Sequence, residues 1–175
     1  KLLKFSNINK INYISDLKSY KTYNEPFFSW DSNYVEHLSN IDSKNINFNG
    51  FFQSFYYFEK YIHEIRNIFK LNNNQELCIN KIYNDITNNY DNITSIHVRR
   101  GDYKNHSKFH RLLDINYYKN AIKTLNTDLY IIFSDDYEWC KINIFPILNK
   151  KFVLSRYDEY TDLFLMSKCT NNIIA

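Results

Sequence analysis

Two of the five arginines in the chain stand side by side, in the stretch Ser95-Ile96-His97-Val98-Arg99-Arg100-Gly101-Asp102. Lysine supplies most of the remaining positive charge, and Gly101 is one of only two glycines, so this segment departs from a composition dominated by Asn, Ile, Lys and Tyr. A planar guanidinium donates paired hydrogen bonds to phosphate oxygens in a geometry that an ammonium cannot reproduce. The apolar residues before the pair read as a short strand that delivers both arginines to its carboxyl end, where open α/β sheets bind ligands. Successive residues of a strand face opposite ways, so His97 and Arg99 share a face and only one of the two arginines is expected to touch a ligand directly. The chemistry predicted here is recognition of a phosphate-bearing ligand.

Further polar groups are expected at the same edge. Thr94–Val98, Leu129–Phe133, Phe152–Leu154 and Ile173–Ala175 are short apolar runs that suit the strands of a parallel sheet buried on both faces. The first would end in Arg99-Arg100-Gly101-Asp102, the second in Ser134-Asp135-Asp136 and the third in Ser155-Arg156. Between them the spacing predicts helices: one through Tyr117, Tyr118, Ala121, Ile122 and Leu125 with Asp114 as N-cap, one through Trp139, Cys140 and Ile144, and one through Tyr160, Leu163, Phe164 and Met166 entered at Asp158 and Glu159. Such alternation predicts an α/β fold with right-handed crossovers and a doubly wound sheet. Asp135, Asp136 and Asp158 are equally explained as helix caps, and an arginine of the pair as a structural partner of Asp102.

The first half is less regular. Phe51, Phe52, Phe55, Phe58, Ile62, Ile65 and Phe69 fall on one face of a helix predicted to follow Gly50, and a second helix is predicted from Glu76 to Thr87. Asn72–Asn74 and Asn88–Asn92 read as loops, the second marking a boundary near residue 90. The division is therefore a partial, helical N-terminal region, 1–90, followed by a sheet domain, 91–175.

Composition sets outer bounds. With 175 residues, 44% of them hydrophobic and 18% aromatic, the chain can bury a core. A net charge of +3 is too small to point to nucleic acid. Cys78, Cys140 and Cys169 show no paired spacing and read as reduced core thiols. His106 and His110 are four apart without a carboxylate partner, and no metal site is expected. No apolar run reaches the roughly 20 residues of a membrane span and no signal pattern opens the chain; both ends read as cut, so membrane association is expected only through segments beyond them, and the location, cytoplasmic or membrane-associated, stays open.

His97-Val98-Arg99-Arg100-Gly101-Asp102-Tyr103 resembles the signature of the α-1,2-fucosyltransferases, glycosyltransferase family 11. Other stretches resemble that family in the same order: Gly50-Phe51-Phe52-Gln53-Ser54, Phe109-His110, Tyr117-Tyr118 with Ala121-Ile122, Phe133-Ser134-Asp135-Asp136 with Trp139, and Asp162-Leu163, Leu165-Met166-Ser167, Cys169 and Ile173-Ile174-Ala175. The family's Gly-Asn-Gln segment is absent, and Asn171 stands where many members carry His.

The resemblance implies a GT-B-like enzyme whose Rossmann-type domain holds GDP-fucose without a metal or other cofactor. It implies an inverting transfer of fucose to a sugar hydroxyl of a glycan acceptor, as in a galactoside α-1,2-fucosyltransferase. Arg99 is expected to stabilise the departing diphosphate, with His97, Arg100, Ser134, Asp135 and Asp136 around the donor and Arg100 and Asp102 bracing the loop. Asp102 and His110 are both candidates for the catalytic base. Two other readings remain: an inactive nucleotide- or carbohydrate-binding module on the same fold, and an unrelated interaction protein whose arginines serve a partner surface.

Overall fold

The computed structural model describes residues 20–26, 31–41, 45–105 and 111–175. The chain divides into two compact units, Lys1–Asn73 and Asn74–Ala175.

In the first unit, β1 (Lys21–Asn24) pairs in parallel with β2 (Ile46–Asn49) in register Lys21↔Ile46 to Asn24↔Asn49. Between them lies the short helix α1 (Tyr34–Ser39). A cluster of rings holds the unit together. Tyr23 is buried and meets Tyr34, Phe48 and Phe52, while Tyr57 meets Tyr34 and Phe52 edge-on at 5.0 and 5.1 Å. The long helix predicted after Gly50 does not form as such. Two tight 3₁₀ turns (Phe55–Tyr57 and Glu59–Tyr61) precede a shorter α2 (Ile62–Ile68). The cause is a contact distant in sequence: the Glu25 carboxylate accepts hydrogen bonds from the amides of Phe51 and Phe52, and Phe52 adopts a left-handed φ of 47°. A bulky residue in that region cannot continue a right-handed helix.

The second unit opens with α3 (Asn73–Thr87), which begins inside the Asn tract and buries Ile79 while leaving Leu77 exposed. It continues through β3 (Ile93–Val98), α4 (Ile115–Lys123), β4 (Leu129–Ser134), α5 (Tyr137–Trp139), β5 (Lys151–Leu154), α6 (Glu159–Lys168) and β6 (Asn171–Ile173). The turn of α5 runs on as a π turn (Cys140–Ile144) and a 3₁₀ turn (Phe145–Ile147) at Pro146. Asp114, Asp136 and Asp158 cap α4, α5 and α6 by accepting amide hydrogen bonds, which relieves the unpaired donors of each first turn.

The four strands form one parallel sheet in the order β5-β4-β3-β6. The chain adds β4 and β5 on one side of β3 and then crosses to place β6 on the other, so the sheet reverses direction at β3. Residues of one parity (Ile96, Val98, Tyr130, Ile132, Ile173) form a buried cluster with Tyr118 and Ile122 of α4 and with Cys140 and Ile144. The opposite parity (Ile93, Ile131, Phe133) is also fully buried. Leu165 of α6 is buried outside that cluster, and α6 is tied to α3 by the Tyr83 hydroxyl donating to the Lys168 carbonyl at 3.0 Å. Both faces of the sheet are thus covered, the reason its strands read as continuous apolar runs.

Two expectations shift. The last strand is Asn171–Ile173, two residues earlier than the apolar run suggested: Thr94 pairs with Asn171 and Ile96 with Ile173, and the Ser95 hydroxyl donates to the Asn172 side chain at 2.6 Å. Ile174 is left 60% exposed. Cys78 lies on the surface, unlike Cys140 and Cys169, which are buried.

Candidate functional site

The segment after β3 is held in place by carboxylates from the turn after β4. Asp135 accepts hydrogen bonds from the amides of Arg100 and Gly101, at 2.8 and 3.0 Å. A Cβ on Gly101 would lie 2.8 Å from Asp135 Oδ2. Glycine is favoured there by this close approach, since a Cβ would push the Asp135 carboxylate aside, and its φ is not in the left-handed region. Asp136 sits on the other side of the turn, where it caps α5 and pairs with Arg100 Nε at 3.2 Å and Lys104 Nζ at 2.6 Å. The Lys104 hydrogen bond is the main reason its carboxyl lies below the usual range, followed by the Trp139 amide.

The two arginines have opposite fates. Arg100 lays its guanidinium 4.3 Å above the Trp139 ring, beside the Asp136 carboxylate, and its side chain is only 17% exposed. Trp139 in turn packs on the cluster that contains Tyr118, so Arg100 caps the end of the core. Arg99 projects to the opposite face. Its Nη2 donates to Asp102 at 2.9 Å, its guanidinium lies 5.0 Å from the Tyr103 ring, and its side chain is 45% exposed.

Arg99 borders a cleft of about 270 Å³ at the carboxyl edge of the sheet, lined also by His97, Ser134, Asp135, Tyr157 and Asp162. Phe133, Tyr137, Glu159 and Met166 complete the wall. Burial lowers the His97 pKa, against a smaller opposing effect of its hydrogen bond to the Ala175 backbone. Burial raises that of Asp162, against a hydrogen bond from the Ser155 hydroxyl at 2.5 Å. Burial thus disfavours the charged form of each, while the Arg99 guanidinium faces the same cleft. Arg156 stacks 4.1 Å from the Tyr137 ring, and the Tyr137 hydroxyl donates to the Ser155 carbonyl.

Of the residues singled out from sequence, His97, Arg99, Ser134 and Asp135 come together in the cleft. Arg100 and Asp136 pair with each other on the far face of the strand, and Asp102 is engaged with Arg99. His110 lies outside the described residues. Sequence reasoning did not bring Tyr137, Tyr157, Glu159, Asp162 or Met166 to the site. The usable signal for Asp162 was its position one turn after the Asp158 cap, on the helix that follows β5. Among the described residues no group of three or more His, Cys, Asp or Glu side chains could hold a metal ion, and no helix is long and apolar enough to cross a membrane.

The chain is 41% identical over 104 residues to the O-antigen biosynthesis glycosyltransferase WbnK of Escherichia coli, covering 54% of this chain and 34% of that protein. It is 32% identical over 154 residues to an alpha-1,2-colitosyltransferase of Escherichia coli, covering 81% of this chain and 51% of the relative. The chain thus spans about half the length, or less, of the curated relatives it matches. No solved structure matches. The family model for glycosyl transferase family 11 matches residues 2–175, nearly the whole chain, and the chain belongs to that family.

Proposed function

We propose that this chain forms the donor-binding part of an inverting glycosyltransferase that moves fucose, or a closely related deoxy sugar, from a GDP-linked donor to a hydroxyl of a glycan. The observation that carries the reading is Arg99: a half-exposed guanidinium at the mouth of a cleft, on the carboxyl edge of a parallel sheet, beside the strand where the sheet changes direction. Crevices at such a reversal are where doubly wound sheets take their ligands. The β5-β4-β3-β6 order supports a Rossmann-type domain of a GT-B-like enzyme. A relative named for colitose transfer keeps the choice between fucose and colitose open as a question of donor specificity.

In the proposed reaction the acceptor oxygen attacks C1 of the sugar and the bond from C1 to the diphosphate oxygen breaks. Negative charge accumulates on that oxygen, and Arg99 stabilises it with donors set in place before reaction. The Asp102 pair uses one of the several N–H donors of the guanidinium. His97, Ser134 and Asp135 line the donor cavity, while Arg100 and Asp136 keep the loop that carries Arg99 in shape. The acceptor proton passes to a base for which Asp102 and His110 are the candidates.

Melting temperature measured with GDP, UDP and ADP tests the nucleotide, and GDP-selective stabilisation is expected. Transfer from GDP-fucose and GDP-colitose by the full-length protein then tests the chemistry. Arg99→Lys is expected to lower transfer by about 100-fold or more, the scale for loss of one preorganised electrostatic donor. Near-normal turnover in that variant removes Arg99 from the mechanism.

A further inference from the structure

The opposite edge of the same sheet has a different chemistry. At the amino ends of β4 and β5 two clefts of about 780 and 480 Å³ adjoin through Asn149 and Lys150. Lys119 and Lys123 of α4 border the smaller, Lys151 borders the larger, and no carboxylate lines either. All four lysines are exposed, and none is in an ion pair among the described residues. Lys150 acts electrostatically on Asp128, whose carboxylate accepts hydrogen bonds from the amide and side chain of Asn92. Beside the lysines lies apolar surface: Phe152 is 38% exposed, its ring tilted against that of Phe145 with centroids 4.5 Å apart, and Lys151 rests 5.9 Å from the Tyr90 ring.

We infer that this amino edge is a docking surface for an anionic phospholipid bilayer. Lysines with long apolar stems, set around an exposed aromatic ring, suit an interface where charge meets headgroups and rings meet the acyl boundary. Guanidinium groups, the better forks for nucleic-acid phosphates, are absent from both clefts; Arg99, Arg100 and Arg156 lie at the other end of the strands. Docking here leaves the carboxyl-edge cleft of the same unit away from the bilayer. The inference is independent of which sugar donor the cleft binds.

The test is co-sedimentation of the full-length protein with phosphatidylcholine vesicles, with and without about a third of phosphatidylglycerol. Binding is expected only to the anionic vesicles and is expected to vanish toward 1 M salt, where the screening length is about 3 Å. Each Lys→Gln change at 119, 123, 150 and 151 is expected to weaken partitioning about fivefold, whereas Lys21→Gln with Lys60→Gln leaves it unchanged. Equal binding to neutral vesicles, no binding to anionic ones, or undiminished binding by the fourfold variant overturns the inference. So does displacement from the vesicles by single-stranded RNA at equimolar phosphate. Should the fourfold variant fail to fold, the pair Lys119→Gln/Lys123→Gln and the salt titration of the unaltered protein decide the matter.

Discussion

The Asp31 cluster of the first unit and the Arg99 cleft of the second are both organised around carboxylates, yet they leave their polar groups in opposite conditions. Asp31 is 2% exposed and accepts from the Tyr23 hydroxyl at 2.5 Å, from the Asn33 amide at 3.0 Å, and meets His37 Nδ1 at 2.8 Å. Its own amide donates to the Tyr57 hydroxyl at 3.0 Å. The bond from Tyr23 is the leading reason the Asp31 carboxyl lies below its ordinary range, while burial and the same bond push the Tyr23 phenol well above its own. Here the buried carboxylate is answered by three donors from within, and the cluster ties β1 to α1. In the cleft, Asp135 is also answered from within, but the loop it organises holds Arg99 half in solvent. Internal saturation marks a structural cluster. A polar framework that presents a charged group outward marks a binding site.

Removing one partner from each region breaks the comparison in different observables. Tyr23→Phe deletes the hydroxyl that bonds to the buried Asp31 while keeping the ring against Tyr34. The loss of a hydrogen bond to a charged group is expected to lower stability by about 1.5–3 kcal/mol in urea unfolding, with no change in GDP affinity of the folded protein. A variant as stable as the original would show that the cluster does not hold β1 and α1 together. Acid acts on the same network. A carboxyl with a depressed folded pKa stabilises above its unfolded pKa near 4 and loses that contribution as pH falls through the folded value, so acid unfolding of this unit is expected to start near pH 4. The Tyr23→Phe variant should show a shallower acid loss.

Gly101→Ala acts on the cleft. The added Cβ meets the Asp135 carboxylate, which cannot retreat without releasing the Arg100 and Gly101 amides. GDP binding is expected to weaken about tenfold, near 1.4 kcal/mol, with a smaller change in melting temperature. Calorimetric titration that finds unaltered affinity would mean the loop tolerates the shift and does not set the position of Arg99.

How much of this was legible depended on the range of the interaction concerned. The apolar runs of β3, β4 and β5, the caps Asp114, Asp136 and Asp158, and the division of His97 and Arg99 from Arg100 are decided by neighbours in sequence, and they could be read there. The turn at Phe52 could not, because it is set by Glu25, far back in the chain. Nor could β6: Asn171 and Asn172 are poor strand formers, and pairing with β3 through Ser95 overrides their propensity. Leu165 lies on the buried face of α6, whereas Leu163 is 51% exposed, because the sheet and not the helix period alone decides which side is covered. Asp162 entered the cleft for the same reason.

Asp162 supplies the smallest and most discriminating test, since its shift runs opposite to that of Asp31. Burial raises its pKa more than the Ser155 hydrogen bond lowers it. A carboxyl whose folded pKa exceeds its unfolded value binds its proton more tightly in the native state, so stability declines as pH rises from about 4 through the folded value. Asp162→Asn keeps an acceptor for the Ser155 hydroxyl and removes the desolvated charge. At neutral pH it is expected to stabilise the second unit by less than about 1 kcal/mol, a figure held down by the solvent that reaches the cleft. The gain should disappear near pH 4, where the natural side chain is itself protonated. Paired urea titrations at the two pH values measure this, and a gain that persists in acid would trace the effect to packing instead of charge. Cleft and cluster then respond to protons with opposite sign, as expected if one carboxylate is answered from within and the other is only partly answered.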